Sequence, residues 1–388
     1  MPKVIVLGCG KIGSVMAMDF AKSVDGSEVV VADRSSELAR TVASTIKGAG
    51  WVSVDTADYP RMVKTLKGFD IVLGALPGDY GYRALEAAVE AGADVVDVSF
   101  TPEDSMELDV SAKKAGVTVI PDCGVAPGLS SILVGYGASR LDKVKKAHIM
   151  VGGIPESPVP PLGYTITWSA EGLIDEYVRD VRIVEGGRVV QVPALSGLEE
   201  VDFPGVGKLE AFYTDGLRTL VRSMPGVDSM WEKTLRYPGH VEKVRLMREL
   251  GFFNDDSLTV EGKEVSPRLV TARLLERNLW RPDVGDLLAM IVEVSGKAGG
   301  METRYRYHVL DRFDKTKKVT AMARTTAYTA SIIAAMLAKG KIKEKGVIPP
   351  ERIGMDEKTT RALLSELKNR GVIVEESKIL ICNSPQFQ

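Results

Sequence analysis

The chain has 388 residues, 45% of them hydrophobic and 26% charged, so it is long enough for two domains and has the balance of a soluble globular protein. A formal net charge of −2 excludes the broad basic field that nucleic acid or an acidic membrane surface would need. No apolar run is long enough to cross a bilayer, and residues 1–7 enter a strand with no leader, so the expected location is cytoplasmic. Cys9, Cys123 and Cys382 form neither a disulfide framework nor a metal-type spacing, and His148, His240 and His308 do not suggest a histidine-built metal centre.

From residue 1 to about 126, strands and helices alternate. Strands are predicted at Lys3–Leu7, Glu28–Ala32, Trp51–Val54, Ile71–Gly74, Val95–Val98 and Val117–Ile120. Helices are predicted at Ser14–Ser23, Ser36–Thr45, Pro60–Leu66, Gly81–Gly92 and Glu103–Ala115. This rhythm predicts an α/β, Rossmann-type doubly wound parallel sheet. The first strand runs into Gly8-Cys9-Gly10-Lys11-Ile12-Gly13, a G-x-G-x-x-G turn that opens a helix. There Gly8 permits the tight turn, Gly10 the approach of a pyrophosphate, and Gly13 close packing of helix on strand. The phosphates would then meet free N–H groups at the positive end of the helix dipole.

Open α/β sheets bind ligands beyond the carboxyl ends of their strands, and each end offers a contact. Asp33 follows the second strand at the distance suited to a ribose diol, and Asp55-Thr56 follows the third, beside the expected adenine. Ala75-Leu76 follows the fourth, where small residues suit the ribose and pyrophosphate, and Asp97-Val98-Ser99-Phe100 follows the fifth, near the expected nicotinamide. Asp33 favours NAD over NADP, because a carboxylate accepts bonds from a 2′-hydroxyl and repels a 2′-phosphate; Arg34 is the neighbour that could instead meet a phosphate.

The middle region, 127–325, changes character. Strands are predicted at Lys146–Val151, Arg182–Glu185, Arg188–Val192, Leu209–Phe212, Leu287–Ser295 and Glu302–Asp311, with a tight hairpin at Glu185-Gly186-Gly187-Arg188. An α+β domain with a mostly antiparallel sheet is implied, expected to bind substrate and a second copy of the chain. Pro155, Pro158, Pro160 and Pro161 suggest a stiff link, and Val241–Gly251 an amphipathic helix. From 326 to 388 a helical segment is expected to pack back on the first domain: a small-residue helix at Thr326–Ala338, a polar helix at Asp356–Arg370, and a strand-like run at Gly371–Glu375.

Three segments offer chemistry. Arg218, in a glycine-containing loop after a strand, suits a substrate carboxylate through its planar fork, or is a surface arginine. Arg236, Tyr237 and His240 come to one turn, with the first two available to substrate and His240 available for proton transfer or for a structural role. Asp122, at the sixth strand's end, reads as a ligand for a substrate ammonium, as a base, or as a cap of the next turn. On residues alone the reading stops at an NAD-dependent oxidoreductase acting on a small molecule that carries a carboxylate.

The motifs go further. VLGCGKIG (6–13), GALPG (74–78), DVVDVSFTPE (94–103), PDCGVAPGLSSILVGYGA (121–138), VGGIPESPVPPLGYTITWSAEGLIDEY (151–177), LEAFYTDGLRTL (209–220), TLRYPGHVEK (234–243) and GVIPPE (346–351) cover nearly the whole chain in order. The sequence resembles the saccharopine dehydrogenase-like family, and within it the archaeal and bacterial lysine 6-dehydrogenases. That resemblance implies a homodimer that oxidises the ε-amine of L-lysine with NAD. It implies Gly8, Gly10, Lys11, Ile12, Gly13, Asp33, Arg34, Asp55, Thr56, Ala75 and Leu76 around the cofactor, and Ser99 and Phe100 facing both nicotinamide and substrate. Asp122 then faces substrate and Arg218, with Arg236, holds the α-carboxylate. His240 stands where saccharopine reductases carry an aromatic residue, a point of agreement with the lysine enzymes.

A free lysine ε-ammonium has a pKa of about 10.4, so it must be deprotonated before hydride can leave, and His240 or Asp122 is the expected base. The products implied are 2-aminoadipate 6-semialdehyde, which cyclises to 1-piperideine-6-carboxylate, NADH and ammonia. The alternative is a saccharopine reductase or another opine-type amino-acid dehydrogenase, with a further cationic site built from Arg222, Arg236 or Lys243. A non-catalytic NAD(H)-binding sensor is a reading from another class, against which stands the absence of a DNA-reading motif.

Overall fold

Val4–Leu7 is buried at every position, which requires cover on both faces of the strand that carries it. In the computed structural model, which describes residues 1–381, that strand (β1, Lys3–Leu7) lies inside a parallel seven-stranded sheet. The chain continues through β2 (Glu28–Asp33), β3 (Gly50–Ser53), β4 (Ile71–Gly74), β5 (Asp94–Asp97) and β6 (Thr118–Ile120), and the order across the sheet is β6-β5-β4-β1-β2-β3. The strand order reverses between β1 and β4, the break at whose carboxyl end doubly wound sheets bind ligands. Met62, Val63 and Leu66 from the helix Tyr59–Leu66, and Ala84, Leu85 and Ala88 from the helix Gly78–Ala91, pack against Ile5, Leu7, Val72 and Val95 on one face.

Side-chain caps set several helix starts: Ser35 accepts from Leu38 N–H and Asp58 from Arg61 N–H. The helix Lys11–Ser23 begins at Gly10 with no side-chain cap and no acidic residue in its first turn, which leaves its N-terminus suited to an anion.

Two compact units divide the chain: residues 1–139, 218–223 and 323–373 form the first, and 140–217, 224–322 and the chain from 374 form the second. In the first, Asp19 accepts from Ser331 Oγ at 2.5 Å and from Arg370 Nε at 2.8 Å, which ties the late helices Ala321–Ala338 and Glu357–Asn369 to the helix Lys11–Ser23. The second unit holds a nine-stranded mixed sheet. Its long strands Lys143–Pro155, Asp286–Ala298 and Met301–Arg312 pair antiparallel, and Ser229–Arg236 runs parallel to Lys143–Pro155. The expected tight hairpin is present, with Glu185 paired to Arg188.

Some expected elements differ. Glu103–Ala115 is not one helix: Asp104 caps a 3-10 turn over Ser105–Leu108 before the helix Asp109–Ala115 begins. Gly346–Val347, within a segment that reads as a tail, instead adds the seventh strand beside β6; two residues carry no periodicity to detect. The last strand lies at Glu375–Ile381 rather than Gly371–Glu375, because Gly371 sits at positive φ just after the preceding helix. Ser229–Arg236 is a strand that the sequence pattern does not announce, because its buried Glu232 and Lys233 interrupt the apolar run. Cys382 lies outside the described residues.

Helix Leu129–Ala138 and helix Pro350–Met355 meet at Gly135, where an added Cβ would run into the Glu351 carbonyl. Alanine is favoured over glycine by roughly 1 kcal/mol inside a helix, so a Gly135→Ala variant that loses about 1–3 kcal/mol in denaturant unfolding would isolate the packing cost. A gain in stability would show that the helices separate freely.

Candidate active site

The G-x-G-x-x-G turn is shaped by contacts rather than by flexibility alone. Gly8 has φ +94°, and a Cβ on it would collide with the Ala75 carbonyl across the β1/β4 break. A Cβ on Gly13 would collide with the Gly8 carbonyl, so the helix can approach β1 only without a side chain there. Gly10 differs: its Cβ direction meets nothing within 4 Å and its backbone suits any residue. The protein itself does not need a glycine at this position, whereas a pyrophosphate resting on the helix N-terminus does.

Asp33 is pinned at the tip of β2, where its carboxylate accepts from Cys9 N–H at 2.8 Å and from Ser35 N–H at 2.9 Å. Burial, with the Asp33 charge nearby, pushes the Cys9 thiol up to about 12, so it stays protonated and unreactive. Arg34 and Lys11 are exposed, Ile12, Thr56, Ala75 and Leu76 half-buried. Asp55 accepts from Ala57 N–H at 3.0 Å and turns the chain after β3.

Beyond β5 the loop is packed tightly. Asp97 accepts from Ser99 N–H at 2.7 Å and from Ser99 Oγ at 3.1 Å. Neighbouring β4 ends in Gly74 because any Cβ there would strike the Asp97 carboxylate. Gly78 and Gly81 let the following helix press on Phe100 and Ser99. Val98 N–H donates to the Gly74 carbonyl.

At the end of β6, Asp122 meets Arg218: Nε lies 3.2 and 3.4 Å from the two carboxylate oxygens. Arg218 Nη2 reaches Thr101 Oγ1 at 3.5 Å, and its guanidinium carbon lies 5.2 Å from the centre of the Phe100 ring. Both partners are buried, and both hold left-handed backbone, φ 51° at Asp122 and 50° at Arg218. Non-glycine residues rarely adopt that conformation outside sites that demand it. The first unit thus brings together Asp97, Ser99, Phe100, Asp122 and Arg218, although Arg218 comes from the middle of the sequence. Thr101 joins them without having been singled out, although it lies inside the DVVDVSFTPE segment.

Arg236, Tyr237 and His240 lie in the second unit. Arg236 is buried against Glu176 at 2.8 Å and stacks 4.6 Å from the Tyr164 ring centre, while its Nε has no hydrogen-bond partner. Tyr237 donates its hydroxyl to the Pro155 carbonyl at 2.9 Å. His240 is 1% exposed with both ring nitrogens engaged. Nδ1–H donates to the Leu162 carbonyl at 2.9 Å, which leaves Nε2 to accept from the Tyr177 hydroxyl at 2.9 Å. Burial, reinforced by the Arg236 charge, holds its pKa down at about 3. These bonds suit a neutral structural imidazole better than the base expected from the sequence. Among the described residues no group of histidine, cysteine or acidic side chains could hold a metal ion, and no helix is long and apolar enough to cross a membrane.

The family model for the saccharopine dehydrogenase NADP binding domain matches residues 4–120, and that for the saccharopine dehydrogenase C-terminal domain matches residues 124–372. The chain belongs to the saccharopine dehydrogenase family. It is 26% identical over 266 residues to the NADP-dependent, L-glutamate-forming saccharopine dehydrogenase of Pyricularia oryzae, an alignment that covers 64% of this chain and 58% of that enzyme. The match therefore spans less than two thirds of that fungal relative's length. It is also 22% identical to the carboxyaminopropylagmatine dehydrogenase of a Synechocystis species, across 92% of this chain and 94% of the relative. The structure of saccharopine dehydrogenase from Saccharomyces cerevisiae shares the fold, with a TM-score of 0.80 at 20% identity over 98% of this chain and 100% of that one.

Within this family member, Asp97 at the end of β5 is strongly altered by its surroundings. Burial, with the Asp122 charge adding to it, pushes its carboxyl up to about 7 against the bonds from Ser99. The folded protein then holds a proton that the unfolded chain has released, so stability falls as pH rises from the ordinary carboxylate range through the folded value. An Asp97→Asn variant keeps an oxygen acceptor for Ser99 N–H and removes the charge. Its melting temperature relative to the parent should improve between about pH 5 and about pH 8. A pH-independent difference would sink the assignment. Gly10→Ala, in turn, should leave the melting temperature unchanged and weaken dinucleotide binding by roughly 10-fold or more, about 1.4 kcal/mol, in fluorescence titration. Equal binding would remove the phosphates from the start of this helix.

Proposed function

We propose that the chain is an NAD-dependent amino-acid dehydrogenase that deaminates L-lysine at its ε-amine. The observation that carries this reading is the buried Asp122–Arg218 pair at the strand ends. A cation and an anion side by side complement the α-carboxylate and α-ammonium of a zwitterionic amino acid, and an arginine fork grips a carboxylate in a defined plane. We assign Arg218 to the α-carboxylate and Asp122 to the α-ammonium.

Gly8, Gly10 and Gly13 would hold the pyrophosphate, and Asp33, oriented by Cys9 and Ser35 N–H, the ribose diol. The dinucleotide supplies a hydride acceptor when bound. In balance, lysine, NAD⁺ and water give the 6-semialdehyde, NADH, an ammonium ion and a proton. Proton removal falls to Asp97 acting through the Ser99 hydroxyl, since its carboxyl, at about 7, is matched to neutral pH. His240 keeps Tyr177 and the Leu162 segment in place.

The remaining cations do not by themselves decide the size of the substrate. A saccharopine-type substrate brings further carboxylates. Arg222 is already paired with Asp104 at 2.7 Å, Arg236 with Glu176 at 2.8 Å, and Lys243 donates to the Pro161 carbonyl at 2.9 Å. Each keeps N–H groups outside those bonds, so the preference for lysine rests on the resemblance of segment 234–243 to the lysine enzymes. The NADP-binding family model and the fungal relatives favour the second reading, an NADP-linked saccharopine dehydrogenase.

Steady-state rates with L-lysine and with saccharopine, each with NAD and NADP, decide between them. The lysine reading expects NADH formation with L-lysine, an Arg218→Lys variant whose KM for lysine rises roughly 10- to 100-fold, and loss in Asp97→Asn of the acid limb of kcat/KM near pH 7. Turnover of saccharopine alone would overturn it, and dinucleotide binding without any turnover would point to a sensor.

A further inference from the structure

Arg218 must be held in a conformation its own backbone disfavours. At φ 50° it lies in the left-handed region, and nothing in the preceding Thr214–Leu217 supplies a regular element to enforce this. Before it, Thr214 N–H donates to the Glu232 carbonyl at 3.2 Å and Asp215 pairs with Arg182 at 3.3 Å; after it, the restraint is built on two hydroxyls. Thr219 and Ser223 bracket the single turn Leu220–Ser223, and both hydroxyls donate to one carboxylate, that of Glu351: Thr219 Oγ1 at 3.0 Å and Ser223 Oγ by a short bond.

Glu351 is itself deeply buried. None of it is exposed, and it opens the helix Pro350–Met355. That helix lies against Leu129–Ala138 so closely that side chains at Gly135 and Gly354 would collide with the carbonyls of Glu351 and Ile132. Just before it, Gly346–Val347 is hydrogen-bonded as a strand along β6, and Ile348 N–H donates to the Val119 carbonyl at 2.8 Å. β6 leads into Asp122, and the helix Leu129–Ala138 starts at the end of the Asp122 loop. The Asp122 side of the ion pair and the clamp on the Arg218 side are therefore built on one frame.

A buried carboxylate with hydroxyl partners rather than a cation is costly, so its presence calls for a gain elsewhere. Burial pushes the Glu351 carboxyl up to about 7, which records that cost. We infer that Glu351 is a positioning residue: by bonding Thr219 and Ser223 it fixes the Arg218 loop so that the guanidinium meets the carboxylate of an amino-acid substrate. The inference rests on the assignment of Arg218 to the substrate carboxylate. The bland alternative is that Glu351 only favours the start of its own helix, and this predicts no particular effect at Arg218.

The test uses the full chain with Glu351→Gln and Glu351→Ala. The amide of E351Q can still accept from one hydroxyl and donate to the other, so it should restore what E351A loses. Misplacement of a gripping group by an ångström costs up to about 100-fold, so E351A should raise the KM for L-lysine roughly 10- to 100-fold. The KM for the dinucleotide should stay within about 2-fold, because no part of the 8–13 turn depends on the clamp. Amide hydrogen exchange should rise in 218–223 in E351A, remain near parental in E351Q, and stay unchanged in 8–13. If E351A does not fold, Thr219→Val with Ser223→Ala removes the same bonds from the other side and is expected to behave alike. A folded variant with unchanged exchange at 218–223 overturns the inference, as does equal damage to lysine and dinucleotide binding. Should the parent turn over no lysine, the lysine reading itself fails, while the exchange comparison still decides the clamp.

Discussion

Asp122 and Arg218, 96 positions apart in sequence, form a buried ion pair in which each backbone is left-handed. Desolvating both charges and holding two non-glycine residues at positive φ are separate costs, each of order 1 kcal/mol or more, and the pair's own attraction in a protein interior only partly offsets them. The surrounding structure supplies the rest. Segment 218–223 leaves the middle of the sequence to join the first unit, Thr101 and Phe100 flank the guanidinium, and Glu351 holds the segment by two hydroxyls. Under the proposed function, an arrangement this constrained would give a charged grip of fixed geometry, as selective recognition of a small zwitterion requires.

The same logic of close approach runs through the glycines. At Gly8, Gly13, Gly74, Gly78 and Gly81 a side chain would strike backbone or a buried group, so these positions set how near strands, helices and loops can lie. Gly10 alone in its turn meets open space, and there a glycine would answer to the proposed ligand rather than to packing. Packing glycines and a ligand glycine thus look identical in the motif but answer to different forces.

The second unit manages its buried charge in another way. Glu176 neutralises Arg236, Tyr164 stacks against it, and Trp168 donates to the Tyr164 hydroxyl at 3.3 Å. Tyr177 and His240 extend the cluster through a neutral hydrogen bond. Such a network stiffens the core around the strand end, and Glu176 balances the Arg236 charge within it.

Much of the fold was legible because parallel strands buried on both faces leave near-continuous apolar runs, and Gly8–Gly13 after such a run reads as a dinucleotide turn. Family membership was legible too, in proline- and glycine-rich segments whose order spans the chain. Asp122 and Arg218 could each be singled out by residue type and by position after a strand, but not as partners, since only folding brings residues so far apart into contact. His240 shows the reverse: an imidazole in a polar turn suggests a base, and only burial with two engaged nitrogens argues against that. Glu351 was visible only as the last residue of the GVIPPE segment, with no role attached, because local pattern does not show which hydroxyls meet it. The sequence by itself determined the alternation of elements, the cofactor turn and the family, all of which depend on local pattern. Tertiary structure decided which charges are paired, which carboxyls hold their protons and which loop Arg218 rides on, because those depend on desolvation and on distances that no local pattern encodes.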